Sequence, residues 1–337
     1  MNRRTFLCGL TLGTLATPLD VEAQQAGKVY RIASVHPSEP IADLTEEKSR
    51  YIKVLFSELR RLGYTEGKNL VVERRSAEGR TERHQVLARE VAQLKPDLIL
   101  AITSRLVMAF KVATKTIPIV GLTSDPIAEG LVASLARPGG NITGFSVTAG
   151  DEILGKRLEL LREVVPTVSR VAFLAPRASW EGPYASYGRL MGEAAQRMGL
   201  TLVAAPLGDP IQEPEYRRAF GLMARERAEA LVVGDHAENF THRRVIVDLA
   251  AQARLAAMYP YLDFAEAGGL MAYAGDLAEN YRGAAGYIAR ILEGANPGEL
   301  PYQQPAKFEL VINLKTAKAL GLTIPQSLLI RADQVIE

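Results

Sequence analysis

Polar and aromatic side chains lie at or just after the ends of short apolar runs along the chain. These positions are Ser34, His36, Thr103, Ser104, Ser124 and Asp125 in the first half of the chain, and Trp180, Asp235, Tyr261, Tyr273 and Gly275 in the second half. The apolar runs are rich in Val, Ile and Leu, which is typical of strands buried on both faces of a parallel sheet. Because ligands of such sheets bind at the carboxyl ends of the strands, we expect these residues to line binding sites.

The chemistry of the first group suits capture of a small charged molecule. The hydroxyl of Thr103 and the amides of the helix predicted after it can hold a carboxylate, because a helix N-terminus carries free N–H groups and a positive partial charge. Asp125 has two interpretations. Its carboxylate either pairs with an ammonium group of a ligand or caps the helix predicted at 126–136.

The second group also leaves alternatives open. Trp180 is the only tryptophan, and its ring either forms a wall of the binding site or packs at the edge of a hydrophobic core. Asp235 is either a polar anchor for the ligand or a helix cap.

Other chemistries lack their sequence signals. The four histidines, His36, His84, His236 and His242, do not have the HExxH spacing of a helical zinc site. The sequence has no G-x-S-x-G nucleophile elbow and no G-x-G-x-x-G dinucleotide motif. The segment 150–157 has the spacing of a phosphate-binding loop, but it ends in Arg157, where a Ser or Thr would ligate magnesium. No cofactor and no metal is therefore expected.

Composition and charge narrow the class of partner. The chain has 337 residues and a net charge of +2, and aromatic residues make up 7% of it. Nucleic acid is not expected as a partner, because phosphate binding needs clustered Lys and Arg. The single cysteine, Cys8, lies in the N-terminal segment, so that the remaining chain has neither disulfides nor a cysteine nucleophile.

The first 23 residues have the layout of a secretory signal peptide. Arg3 and Arg4 precede an apolar stretch of about ten residues, and small residues around Ala23 form a cleavage signal. The apolar stretch is shorter than the roughly 20 residues that a membrane-spanning helix needs. The paired arginines also resemble a twin-arginine export signal, with Sec export as the alternative. We therefore expect an exported, periplasmic protein.

The rest of the chain alternates between strand and helix patterns in two similar series. This alternation predicts an α/β protein with doubly wound parallel sheets. The first series runs from the strand at 29–35 to the strand at 142–147, and the second runs from the helix at 154–164 to the strand at 256–259. Two similar series indicate two similar lobes. Their facing strand ends would form a cleft that can close on a solute.

Several segments together resemble one family, the bacterial ABC transporter substrate-binding proteins of the tryptophan- and tyrosine-binding type. The segments are 63–69 (GYTEGKN), 117–120 (IPIV), 125–135 (DPIAEGLVASL), 137–144 (RPGGNITG), 156–161 (KRLELL) and 307–313 (KFELVIN). They are distributed along almost the whole chain after the N-terminal segment, and their order is that of the family.

The resemblance implies the fold and the domain boundaries. It implies a type I periplasmic binding protein fold with two Rossmann-like lobes and a three-stranded hinge. We expect lobe 1 to comprise residues 28–146 and 269–298, and lobe 2 to comprise residues 147–268 and 299–337. In this arrangement Tyr273 and Gly275 would contribute to the site from the hinge side.

The resemblance also implies the function. It implies a receptor, not an enzyme, that captures a small organic molecule, with an amino acid or an aromatic compound favoured, for an ABC importer. The expected partners are the importer's permease and its ATPase in the inner membrane, and a monomer is expected. One alternative is a secreted two-domain α/β hydrolase that uses Asp125 or Asp235 with His236. Another is the ligand-sensing module of a regulator, which would need an attached DNA-binding or signalling domain.

Overall fold

The structure is a computed structural model that describes residues 28–148, 152–181 and 186–337. The predicted signal peptide at 1–23 lies outside the described residues, as do the first two residues of the segment 150–157. The chain forms two separate sheets with helices packed on their faces, which confirms the predicted α/β class. In the part of the chain that the structure describes, no helix is long and apolar enough to cross a membrane.

The first sheet has five parallel strands. They are β1 (Tyr30–His36), β2 (Leu70–Ser76), β3 (Leu98–Ile102), β4 (Ile119–Thr123) and β5 (Ile142–Ser146), in the spatial order β2-β1-β3-β4-β5. Every residue of β4 and β5 is buried, as expected for strands covered by helices on both faces. The strand order reverses direction between β1 and β3. A crevice at the carboxyl ends of the strands is expected at such a reversal.

The second sheet has seven strands in the order β12-β11-β10-β9-β8-β6-β7. They are β6 (Arg170–Pro176), β7 (Thr201–Leu207), β8 (Ala230–Val233), β9 (Ala256–Tyr259), β10 (Met271–Gly275), β11 (Phe308–Asn313) and β12 (Gln334–Ile336). The five strands from β6 to β10 repeat the order of the first sheet. The last two strands extend the sheet, and β11 pairs with β10 in the antiparallel sense.

The helices cover both sheets. They are α1 (Arg50–Arg61), α2 (His84–Gln93), α3 (Ser104–Ala113), α4 (Glu152–Val164), α5 (Ser186–Arg197), α6 (Glu213–Arg225), α7 (Ala237–Thr241), α8 (Arg243–Gln252), α9 (Leu262–Glu266), α10 (Leu277–Leu292), α11 (Leu314–Leu320) and α12 (Gln326–Arg331). Local sequence signals explain several of their ends. Asp276 starts α10 by accepting hydrogen bonds from the amides of Ala278 and Glu279. Gly321 ends α11 in the left-handed conformation.

One element is placed differently from the sequence prediction. The strand within 269–298 was expected in lobe 1, but β10 hydrogen-bonds to β9 and β11 and belongs to the second sheet. The chain returns to the first lobe with α10, where Ala284 and Ile288 pack in the same core as Leu55 of α1. The lobe assignment that the resemblance implied was wrong for this strand, whose pairing partners are set by long-range contacts in this chain. The segment from 299 to Gln303 also lies on the first lobe, through a bridge between Gln303 and Phe145.

The helix predicted at 126–136 does not form. Asp125 accepts hydrogen bonds from the amides of Ile127 and Ala128, but the chain then makes turns as far as the breaker Pro138. Gly130 has a φ of 66°, which interrupts a right-handed helix after a single turn. The segment instead anchors itself by burying Leu131 and Val132.

The chain passes between the lobes at three places: between β5 and α4, between β10 and α10, and between Gln303 and β11. The lobes also contact each other directly. Arg105 on α3 forms an ion pair with Glu238 on α7 at 2.8 Å, and the hydroxyl of Tyr51 on α1 donates to Asp263 on α9 at 2.5 Å. The lobes are therefore closed on each other.

Candidate functional site

A cavity of about 110 Å³ lies between the closed lobes. Its walls come from the carboxyl ends of β1, β3 and β4 in the first lobe, and from the segments after β6, β8 and β9 in the second. Pockets for drug-sized ligands measure roughly 300–1,000 Å³. The cavity is therefore suited to a small solute and excludes a folded macromolecule.

Seven of the residues predicted from sequence line this cavity. They are His36, Thr103, Ser104, Ser124 and Asp125 from the first lobe, and Asp235 and Tyr261 from the second. They were expected to meet because they end neighbouring strands of two facing sheets, and the structure brings them together. Which of them contact a ligand stays a prediction.

Four other predicted residues do not line the cavity. Ser34 is buried behind it, with its Oγ 3.4 Å from Nε2 of His36. Trp180 packs edge-to-face on Phe173 at the margin of the core of the second lobe, which agrees with the packing interpretation. Tyr273 stacks on Phe308 in a groove outside the cleft, and a side chain at Gly275 would meet Pro305. The last two lie on β10, next to the antiparallel strand β11, and neither lines the cavity.

Asp235 is the most unusual side chain in the cavity. It is 5% exposed, and neither carboxylate oxygen has a hydrogen-bond partner of normal geometry within the described residues; the buried hydroxyl of Tyr187 lies close to it. It is not a helix cap, since His236 is the N-cap of α7 and Asp235 bonds no amide with its side chain. A buried carboxylate without a partner is costly. The arrangement is explained if a cationic ligand group pairs with it.

Thr103 faces the cavity at the start of α3. Its φ of 81° and ψ of 147° lie in a region that residues with a side chain rarely adopt. Among the residues that the structure describes, its buried hydroxyl has no partner and no side chain caps the helix. The first amides of α3 are therefore free to bind an anion.

Asp125 has the predicted capping role, and its predicted contact with a ligand stays a prediction. Its Oδ1 accepts two backbone hydrogen bonds at 3.0 Å, so that it caps the turn that follows β4. It also lines the cavity.

Four further ionisable groups that line the cavity were not predicted, namely Glu39, Arg105, Glu129 and Glu238. The guanidinium of Arg105 is held by Glu238, which is 1% exposed. Burial raises the pKa of Glu129 to about 8, and the neighbouring carboxylates Asp235 and Asp125 contribute to this shift. Glu129 was missed because it lies in the segment that was expected to be an ordinary helix.

The histidines of the cavity are uncharged at neutral pH. Burial lowers the pKa of His36 to about 3, and burial also lowers the pKa of His236. The cavity therefore has no free cation among its described residues, since Arg105 is paired. Its electrostatic character is acidic.

Aromatic rings form a continuous wall. Phe240 contacts both Tyr51 and Tyr261 edge-to-face, with ring centroids 5.9 and 5.4 Å apart, and Tyr51 stacks on Tyr281. Tyr51, Phe240 and Tyr281 were missed because they lie on helices, where aromatic residues at helical spacing read as core residues. The wall joins the lobes, because Tyr51 and Tyr281 belong to the first and the other two rings to the second.

A serine and a histidine are also hydrogen-bonded in the cavity. The Oγ of Ser179 lies 2.8 Å from Nε2 of His236. In a hydrolase the other ring nitrogen would bond a carboxylate that orients the imidazole, but Nδ1 of His236 has no partner within the described residues. The pair therefore lacks the third member of a catalytic triad. The part of the chain that the structure describes also has no group of three metal-ligating side chains.

Comparison with known proteins agrees with this architecture. Residues 43–336 match the family model described as ABC transporter substrate binding protein. A structure of a conserved domain protein from Vibrio cholerae is 28% identical and has a TM-score of 0.80. The alignment covers 91% of this chain and all of that one. A Streptococcus pneumoniae structure, titled as an ABC domain in complex with L-Trp, is 23% identical over 92% of this chain and all of its own, with a TM-score of 0.77.

One relative of named function is more similar in sequence. The tyrosine-binding protein of Clostridioides difficile is 33% identical over 140 residues, which is 41% of this chain. The match spans 37% of the length of that protein. The family match covers most of the chain, and the two-lobed architecture agrees with it. The chain therefore belongs to the family of ABC transporter substrate binding proteins.

Proposed function

We propose that this protein is an exported receptor that captures an amino acid as its zwitterion and delivers it to an ABC importer. The observation that carries the proposal is Asp235, whose two buried carboxylate oxygens have no partner within the described residues. An α-ammonium group would supply the missing positive charge and up to three hydrogen-bond donors.

The other lobe supports recognition of the carboxylate. The hydroxyl of Thr103 has no partner in the described part of the chain, and the amides that follow it begin the ten-residue helix α3 without a side-chain cap from that part. A carboxylate at this position would gain hydrogen bonds and the favourable field of the helix. A zwitterion would then contact both lobes at once, so that binding favours the closed state.

The aromatic wall supports an apolar or aromatic side chain. Tyr51, Phe240 and Tyr281 present ring faces and edges to the cavity, and such surfaces bind other rings favourably. The tyrosine-binding relative and the structure titled with L-Trp make L-tyrosine and L-tryptophan the first two compounds to test.

The predicted signal peptide supports a periplasmic location. The closed lobes would present a joint surface to the permease, which is powered by its ATPase. We expect the receptor to act as a monomer, because both halves of its site come from one chain.

A thermal-shift screen tests the proposal. The purified protein is heated with each of the twenty amino acids, and with sugars, nucleosides and organic acids that lack an amino group. A ligand at about 100 times its Kd adds roughly 2.7 kcal/mol to the unfolding free energy, which raises the Tm by several degrees. The proposal predicts a shift from amino acids only.

The same samples distinguish a receptor from an enzyme. The compound is recovered after incubation and measured by mass spectrometry. Full recovery supports a receptor, whereas conversion of the compound would favour the hydrolase alternative and would direct attention to Ser179 and His236. A Tm shift from sugars or organic acids, with none from amino acids, would refute the proposed ligand class.

A further inference from the structure

We propose that Glu129 and Asp235 hold one ammonium group between them, one carboxyl from each lobe, and that the closed cavity therefore takes up its solute with release of a proton. This inference rests on the proposed function, since it concerns the cationic group of the same ligand. It assigns a specificity role to Glu129, which neither the sequence pattern nor a capping role explains.

The geometry brings into one cavity three oxygens that have no partner in the described ranges 28–148, 152–181 and 186–337. They are both carboxylate oxygens of Asp235 and Oε2 of Glu129, all of them buried. Glu129 reaches the cavity from the turn after β4, because Asp125 caps that turn and the amide of Glu129 bonds the carbonyl oxygen of Asp125 at 3.1 Å. Asp235 follows β8 in the other lobe.

The groups that face Glu129 leave it without a cation. Asp125 lies in the same turn, Asp235 faces it from the second lobe, and Tyr302 lies close behind the strand end. The guanidinium of Arg105 on α3 is the nearby positive charge, but it is bound to Glu238. Ser104 offers Glu129 a hydroxyl, which carries no net charge.

This environment determines the protonation state of the empty cavity. Burial, together with the charges of Asp235 and Asp125, raises the pKa of Glu129 to about 8, so that the carboxyl is mostly protonated at pH 7. An ammonium group beside it favours the carboxylate. On binding, the O–H bond of Glu129 breaks, its proton leaves to solvent, and the carboxylate accepts a hydrogen bond from the ligand N–H.

The sign of the pH dependence follows from this exchange. The empty site must lose a proton at any pH below about 8, so that affinity rises with pH and levels off only above pH 8. If the bound ammonium lowers the pKa of Glu129 below 6, Kd should be about 50-fold weaker at pH 6 than at pH 8. At pH 7 about 0.9 proton should be released for each molecule bound.

Isothermal titration calorimetry of the purified full-length protein with L-tyrosine and L-tryptophan tests the proposal. The enthalpy is measured at pH 7 in several buffers of different ionisation enthalpy, which gives the number of protons released. Kd is measured at pH 6, 7 and 8. Glu129→Gln should bind without proton release and with a Kd that varies less than threefold over this range.

The control variant is Glu90→Gln, which replaces an exposed carboxyl on α2 outside the cavity. It should keep the proton release and the pH dependence of the wild type. Because the wild-type buffer series needs no variant, the proposal stays testable even if Glu129→Gln folds poorly.

The outcomes separate the two proposals. Binding of either amino acid with no proton release, or with the same release in Glu129→Gln, would overturn the role of Glu129 and leave the receptor function intact. Failure of both amino acids to bind, with a thermal shift only from compounds that lack an amino group, would overturn the receptor's proposed ligand class and this inference with it.

Discussion

Replacement of Asp235 by asparagine should stabilise the ligand-free protein and weaken ligand binding. The side chain is 5% exposed and neither oxygen has a partner in the described structure. An unsatisfied buried polar group costs about 1–3 kcal/mol, and a charged one costs more. Asparagine keeps the size of the side chain but carries no charge. We therefore expect the free energy of unfolding to rise by about 1–3 kcal/mol and the Tm to rise by a few degrees.

The same substitution removes the charge that pairs with the ligand. Loss of one partner of a buried, hydrogen-bonded charge pair costs about 2–4 kcal/mol of binding free energy, which weakens Kd by about 30- to 1,000-fold. Stability is measured by thermal denaturation without ligand, and Kd by calorimetry with L-tyrosine and L-tryptophan. Asp248→Asn, which changes an exposed carboxylate on α8, is the matched control and should alter neither quantity.

The opposite signs make this prediction demanding. If Asp235 only supported the fold, its substitution would lower the stability of the protein, and binding would weaken only because part of the protein unfolds. If Asp235→Asn lowers the Tm, or binds the amino acid within threefold of the wild type, Asp235 is not the ammonium site.

Three further predictions concern the neighbouring structure. The free energy of unfolding of Thr103→Gly should be about 1 kcal/mol higher than that of Thr103→Ala, because glycine relieves the strain of the positive φ. Both variants should bind the ligand more weakly than the wild type in calorimetry. Asp263→Asn should weaken Kd about 5- to 30-fold although Asp263 does not line the cavity, since the substitution removes the ion pair with Arg50 that joins the lobes beside the Tyr51 hydrogen bond. Small-angle X-ray scattering should show a larger ligand-free particle, and an unchanged Kd and radius would contradict this role. Gly144→Ala should lower the free energy of unfolding by about 2–3 kcal/mol in chemical denaturation, because the added Cβ would collide with the backbone of the neighbouring strand. The control Gly286→Ala has open space around the added Cβ and should not be destabilising in the same assay.

The sequence predicts the fold well where each element is self-contained. The strand at Ala230–Val233 is bounded as expected, since a short Val- and Leu-rich run between polar segments has few other conformations. The prediction of a helix at 126–136 was wrong, because apolar periodicity does not report the left-handed backbone conformation that Gly130 adopts. The lobe of β10 was also wrong, because pairing partners are set by long-range contacts that no local pattern encodes.

The residues that line the cavity could be predicted from the sequence at strand ends but not on helices. His36 ends β1 while Thr103 and Asp235 come just after their strands, and the topology of parallel sheets brings such positions together. Tyr51 and Tyr281 reach the cavity only because α1 and α10 pack side by side in the first lobe and face the second. That arrangement depends on the return of α10 across the interlobe boundary, which the sequence does not reveal by itself.

The central claim is that the cavity recognises both charged ends of an amino acid. Calorimetry with L-tyrosine, with tyramine, which lacks the carboxylate, and with desaminotyrosine, which lacks the ammonium group, tests it most directly, together with the matching tryptophan series. We predict that at least one intact amino acid binds and that each of its truncated analogues binds at least about 30-fold more weakly, since each loses one buried charged contact. Equal binding of the intact amino acid and desaminotyrosine would contradict the role assigned to Asp235, and preferential binding of both truncated compounds would contradict the account as a whole.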